Sequence, residues 1–311
     1  MSAPPAPGPR LLVVGGCGGL VGRAVLNEFR HDRGIRSVHR SPAAGEAEAG
    51  VEWVPGNVET LEDWTPYLEG VDTVLNLAWY RQARARRFVA LRDGLLRLVR
   101  AAERANVRRF VHVSVPPAPA ALEEHLPYLA NKRVIDRAIG ESSLSYVIVR
   151  PTMLFAPRDV LATVMLRTMA RYHRFPLFGD GAYHLSPIAA SDLARAIRIE
   201  GERGGRRTVD LGGPRRYRYR DLTDRMFAAL GLPARYFRLS PRNSVRLAWL
   251  LESLGSSLLY EYEAIWLLSD MLGLPAYSGL DRPLEAIEPF LDLEAARWRP
   301  RRRRAPAPPT V

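Results

Sequence analysis

At 311 residues, with 47% hydrophobic and 25% charged residues, the chain has the composition of an ordinary soluble globular protein, large enough for one big domain or for two that share an interface. Its one cysteine, Cys17, excludes an internal disulfide, and 45 basic against 33 acidic residues give a net charge of +12. Six arginines between positions 297 and 304 supply half of that excess. The body is therefore only mildly basic, and neither an aromatic-interleaved basic stripe nor zinc-finger spacing points to specific nucleic-acid binding.

In chain order, residues 1–9 are Pro-rich and expected to be disordered. Residues 10–16 form a strand-like apolar run that gives way to glycines and then to a helical pattern at 20–30. Further strand patterns fall at 35–39, 51–54, 71–77, 110–115 and 145–149, with helical patterns at 61–68, 84–105 and 128–139. Alternation of nearly continuous apolar strands with helices predicts an α/β fold, a doubly wound parallel sheet covered by helices on both faces.

After Arg150-Pro151 the pattern becomes mostly helical, at 160–171, 192–199, 219–230, 244–254, 258–272 and 284–296, with strands at 184–189 and 207–211. The expected organisation is a nucleotide-binding domain at 10–155 and a smaller, mostly helical C-terminal substrate lobe at 156–298. The stretch near 184–211 returns to the first domain's core, and 299–311 is a basic disordered tail. The most apolar region, 245–274, is broken by Glu252, Glu261, Glu263 and Asp270 and so is no membrane span. Its helices around Trp249 and Trp266 read as core, with a membrane-interface role as the alternative. With no apolar signal segment at the start and a lone cysteine, a cytoplasmic setting is expected. The Arg-rich end reads as a solvated tail, with contact to an acidic partner, an anionic lipid or nucleic acid as the alternative, and peripheral membrane or complex association stays open.

Gly16, Gly19 and Gly22 form G-x-x-G-x-x-G between the first strand and the first helix. Glycines there let the backbone approach a pyrophosphate while the helix N-terminus offers free N–H groups, and the last glycine permits close helix–sheet packing. Dinucleotide binding is the reading this position favours. At the end of the second strand stands Arg40 rather than a carboxylate, which favours NADP(H), with NAD(H) as the alternative. The six histidines show no metal-ligand spacing, so no metal site is expected.

Of the 45 basic residues 44 are arginine, and the single lysine, Lys132, follows Tyr128 by four positions in a helical pattern. That spacing sets both side chains on one face, a turn apart. A neighbouring ammonium stabilises a phenolate and fits the phenol for proton transfer near neutral pH.

The glycine turn after the first strand together with Y-x-x-x-K after the fifth resembles the short-chain dehydrogenase/reductase superfamily, over about 10–211. The surrounding residues Phe110–Ser114, Val149-Arg150-Pro151 and Asp192-Leu193-Ala194 are similar to its extended and atypical branches. Within these, the likeness is to NAD(P)H-binding proteins of the nitrogen-metabolite-repressor type and to the accessory subunit of respiratory complex I. The resemblance implies a Rossmann-type fold and an NAD(P)-dependent oxidoreductase or sugar-nucleotide epimerase/dehydratase-type enzyme acting on a small molecule. A non-catalytic nucleotide-bound accessory subunit or cofactor-sensing regulator is the alternative. It implies that Tyr128 is the proton donor or acceptor, that Lys132 holds the nicotinamide ribose, and that Gly16, Gly19, Leu20 and Val21 cradle the pyrophosphate. Arg40 would meet the adenosine phosphate, Asn57 and Val58 would flank adenine, Ala78 and Trp79 would line the cleft, and Pro151 and the residues up to Leu154 would pass near the nicotinamide. The usual catalytic serine falls at Val115, with Ser114 one residue earlier, the candidate hydroxyl but on the opposite side of an extended segment.

Overall fold

The computed structural model describes residues 11–15, 18–29, 31, 34–40, 51–79, 85–157, 160–255 and 259–299. The first half runs β1 (Leu11–Val14), α1 (Leu20–Phe29), β2 (Ile35–His39), β3 (Val51–Pro55), α2 (Thr65–Leu68), β4 (Thr73–Asn76), α3 (Ala85–Arg104), β5 (Arg109–Val113), α4 (Ala120–His125), α5 (Pro127–Glu141) and β6 (Tyr146–Pro151). The second half continues with β7 (Leu154–Phe155), α6 (Val160–Tyr172), β8 (Phe175–Phe178), β9 (His184–Leu185), β10 (Ile188–Ala189), α7 (Ala190–Glu202) and β11 (Arg206–Leu211). It closes with β12 (Tyr217–Arg218), α8 (Tyr219–Leu230), β13 (Tyr236–Leu239), α9 (Pro241–Ser253), α10 (Glu261–Leu268) and α11 (Ile287–Ala296).

Seven strands form one parallel sheet in the order β11-β6-β5-β4-β1-β2-β3, the doubly wound Rossmann-like arrangement. The side-chain period of two explains why strands such as β1 are apolar throughout. Leu12 and Val14 pack with Leu91, Leu95, Ile135 and Ile139 of α3 and α5 on one face. Leu11 and Val13 pack with Val25, Leu26, Leu193 and Ile197 of α1 and α7 on the other. The strand order reverses direction between β1 and β4, and ligands of such sheets bind outside the C-terminal ends of the strands at that switch point.

A separate core is built by α6, α8, α11 and β8, with Leu166, Met169, Leu177, Phe227 and Leu291 buried. Between this lobe and the sheet lies a small cluster of Val115, Leu126, Leu129 and Met271, against which Tyr128, Tyr262 and Trp266 pack.

Several expectations are corrected. The run 184–189 is not one strand: β9 pairs antiparallel with β12 and β10 pairs parallel with β7, because Ser186 and Pro187 turn the chain between them and Ser186 N–H donates to Leu272 O. The helix expected over 61–68 shrinks to Thr65–Leu68, where Pro66 sits in the first turn, the one place a helix loses nothing to a missing N–H. The helix expected from 244 starts at Pro241, since the Ser240 hydroxyl accepts from Asn243 N–H as its cap. Trp249 on α9 is 55% exposed and is not core, whereas Trp266 is half-buried. The N-terminal 1–9 and most of the basic tail lie outside the described residues; Arg299 is described, and its Nε donates to Ala229 O.

Candidate functional site

β1 ends against β4's continuation. Gly15 has φ +73°, and a Cβ there would lie 2.7 Å from Ala78 Cα, so only glycine lets the turn pass so close to the segment after β4. Gly15 N–H donates to Val38 O across to β2. Gly16 and Cys17 fall outside the described residues. Gly18 and Gly19 are exposed, and Gly19 O accepts the first helical bond, from Arg23 N–H. The backbone amides at the start of α1, from Leu20 and Val21 to the buried Gly22, therefore precede the first intrahelical donor, and no acidic side chain lies in that turn. The resulting partial positive charge suits an anion.

Beside this turn His39 Nε2 lies 3.9 Å from where a Gly18 Cβ would stand, and Arg40 follows it, exposed, just past β2. Asn57 Oδ1 accepts from Glu59 N–H and so holds the turn after β3, while Val58 is buried. Gly94 of α3 crosses at that point: a Cβ there would fall 1.8 Å from Val58 O, which fixes the helix against the turn.

After β4, Asn76 Oδ1 accepts from the Ala78 N–H and buries it, and Trp79 turns over the end of the sheet. The Trp79 ring stacks on Phe88 of α3 at 5.6 Å and 12°, and meets Tyr128 edge-on at 5.7 Å. The Trp79 indole N–H is buried with no acceptor among the described residues.

α5 carries the pair that the sequence singles out. Lys132 is 2% exposed; its Nζ donates to Val113 O at 2.6 Å and lies 4.8 Å from the Trp79 ring centre. Burial pushes its ammonium down to about 7, Asp136 opposing and Arg133 adding to that shift. Tyr128, one turn before it, is half-buried. Its ring stacks on Tyr262 at 5.1 Å and 13° and touches Phe88 and Trp266 at 5.7 and 5.6 Å. Tyr262 and Trp266 come from α10, so the second lobe reaches over the phenol.

One turn beyond Lys132, Asp136 gathers a buried polar group. It accepts from Ser114 Oγ at 2.8 Å and from Arg133 Nη1 at 2.7 Å, with His112 Nε2 at 3.5 Å from its other oxygen. Asn76 Oδ1 already accepts a backbone N–H, so its Nδ2 donates to His112 Nδ1 at 2.9 Å, which leaves the imidazole proton on Nε2, facing Asp136. Burial, with Lys132 and then Arg133 nearby, holds His112 well below its ordinary pKa. Arg133 also donates to Glu123 and to the carbonyls of Val115 and Pro116, and so clamps the segment after β5.

The structure thus brings Gly19, Leu20, Val21, Gly22, Ala78, Trp79, Tyr128 and Lys132 to the C-terminal end of the sheet, around its switch point. Pro151 is buried at the end of β6, followed by Thr152, whose hydroxyl donates to Ser186 O. Ser114 is buried with its hydroxyl given to Asp136, while Val115 joins the apolar cluster beside Tyr128. Sequence reasoning missed Asp136, although it lies four residues past Lys132 on the same face. It also missed Tyr262 and Trp266, for which no local signal exists.

Residues 16–170, almost half of the chain, match the family described as NAD(P)H-binding. The photosystem II assembly factor Ycf39 of Synechocystis sp. is 31% identical over 151 residues, 45% of this chain and 44% of that protein, so the match spans less than half of the relative's length. Among solved structures, a nucleoside-diphosphate-sugar epimerase from Staphylococcus aureus superposes with TM-score 0.74 at 16% identity, over 91% of this chain and 99% of that one. The Bordetella bronchiseptica enzyme WbmH, solved with NAD+, gives 0.66 at 15% identity over 91% and 96%. The UDP-glucose 4-epimerase of Thermotoga maritima, solved with UDP-glucose, gives 0.59 at 19% over 75% and 87%. At these identities the structural likenesses establish the fold.

Proposed function

We propose that the protein binds a nicotinamide dinucleotide across the switch-point crevice, NADP(H) in preference to NAD(H), and uses it in an oxidoreductase or epimerase-type reaction with Tyr128 as the proton-exchanging group. The observation that carries this reading is a convergence of three segments far apart in sequence. Gly15 abuts Ala78, and the next residue, Trp79, touches both Tyr128 and Lys132. That proximity supports reading the glycine turn and the Tyr128–Lys132 pair as parts of one site.

The residues present fit such a group: glycines open to solvent before a helix with no acid in its first turn, and an arginine past β2. In that arrangement the backbone of Gly18, Gly19, Leu20 and Val21 holds phosphate. Arg40 meets the adenosine end, Asn57 and Val58 flank it, and Pro151 borders the ring end. A nicotinamide cofactor supplies the hydride. Lys132 Nζ, covered by the Trp79 ring, serves the ribose once that ring moves aside and, when protonated, stabilises the Tyr128 phenolate. Tyr128 Oη exchanges the proton with the substrate oxygen, and Tyr262 and Trp266 keep bulk water from it.

A second reading, a non-catalytic nucleotide-bound subunit or regulator, is favoured by one observation: Ser114 is committed to Asp136 and Val115 offers no hydroxyl near Tyr128. The two separate on purified protein with NADPH and a panel of ketones, aldehydes and nucleotide sugars. The enzyme reading expects turnover that Tyr128→Phe abolishes while nucleotide affinity holds. NADPH binding without turnover on any of them supports the second reading.

A further inference from the structure

α9 departs from the sequence expectation in a way that the nucleotide site does not use. Its inner face, with Ser244 and Ala248 buried, packs on α10. The opposite face, at helical spacing, presents Arg242, Arg246, Trp249 and Leu250, and Leu254 follows at its end. Trp249, Leu250 and Leu254 are 55%, 48% and 75% exposed. Three large apolar side chains side by side in water forgo several kcal/mol of burial, roughly 1.5–3 for each fully buried. Arg238, on the strand before, is exposed as well. Among the described residues none of these three guanidinium groups meets a carboxylate. The only acid between 231 and 255 is Glu252, and its carboxylate accepts Glu261 N–H.

Basic and large apolar side chains interleaved on one helix face suit an interface in which the apolar groups enter the headgroup–acyl boundary and the guanidinium groups stay with phosphates. Nucleic acid would satisfy the arginines but leave Leu250 and Leu254 in water. Arg299 is held by Ala229 O, near the end of α8 and a short loop before β13, and Arg301–Arg304 follow it in the sequence. Binding of such a face scales with its buried apolar area plus the attraction of its basic side chains to anionic lipid. Among the described residues no helix is long and apolar enough to cross a membrane.

We propose that the outer face of α9 is a docking surface for an anionic lipid bilayer. The test is co-sedimentation of the full chain with phosphatidylcholine vesicles and with vesicles containing about one-third phosphatidylglycerol. The protein should sediment with the second and not the first. Arg242→Glu with Arg246→Glu, and separately Trp249→Ser with Leu250→Ser, should each lower partitioning by about tenfold or more. Leu293→Ser, an equally exposed leucine on α11, should change nothing. All these side chains are exposed, so thermal midpoints should stay at the wild-type value and any loss is one of binding. The proposal is overturned if the wild type ignores the anionic vesicles, or if Leu293→Ser weakens binding as much as the α9 variants. It is equally overturned if the α9 variants bind like wild type while removal of 301–311 abolishes binding. Retention on double-stranded DNA without vesicle binding would also overturn it.

Discussion

The Lys132 ammonium lies 4.8 Å from the centre of the Trp79 ring while donating to Val113 O, so the single lysine of the chain is held between an indole face and a backbone carbonyl, out of water. Burial there favours the neutral amine and brings its pKa from 10.5 to about 7. Between those values the unfolded chain binds a proton that the folded chain does not, so stability from this group is fully present above 10.5 and is lost as pH falls toward 7. Lys132→Met should therefore flatten the rise in stability between pH 7 and 10, read from denaturant midpoints across that range. An unchanged slope would contradict the burial argument.

Gly15 makes a sharper structural prediction. An alanine there must adopt a positive φ and put its methyl into Ala78, so Gly15→Ala should cost about 2 kcal/mol or more in urea unfolding and pull the turn off its geometry. A variant as stable as wild type would show that the contact between β1 and β4 yields easily.

Asp136→Ala would leave the Ser114 hydroxyl and the Arg133 guanidinium without a shared acceptor and His112 Nε2 facing an apolar gap. A loss of about 3 kcal/mol is expected. Because Asp136 raises the Lys132 pKa, the variant's pH–stability curve should also shift to lower pH. A stability loss without that shift would mean the two groups are not coupled.

Much of this arrangement was legible in the sequence, and the reasons differ by element. The apolar runs of β1, β4 and β5 and the amphipathic α3 and α5 are fixed by local pattern, and Tyr128 and Lys132 lie on one helix, so their proximity follows from spacing alone. Ser114 and Val115 were distinguishable only by which side of the chain each faces, which depends on where Asp136 sits. The aromatic cover from Tyr262 and Trp266 comes from a helix more than 120 positions away, and no local pattern encodes which face of α10 meets α5. The split of 184–189 into β9 and β10 likewise depends on partners, β12 and β7, that are distant in sequence.

Cofactor choice rests on Arg40. In the absence of a carboxylate at the end of β2, Arg40→Ala should weaken NADPH binding by about tenfold and leave NADH binding nearly unchanged, in parallel equilibrium titrations. Equal losses for both nucleotides would assign Arg40 a structural part instead.

The proposed function requires a nucleotide to lie over the glycine turn before α1 with its ring end toward Tyr128 and Lys132. Calorimetric titration of NADPH into the wild-type protein and into Lys132→Met tests this. Saturable one-to-one binding to the wild type, weakened by about tenfold or more in the variant, is the predicted result. No binding to the wild type up to about millimolar NADPH or NADH, or binding indifferent to Lys132, would contradict it.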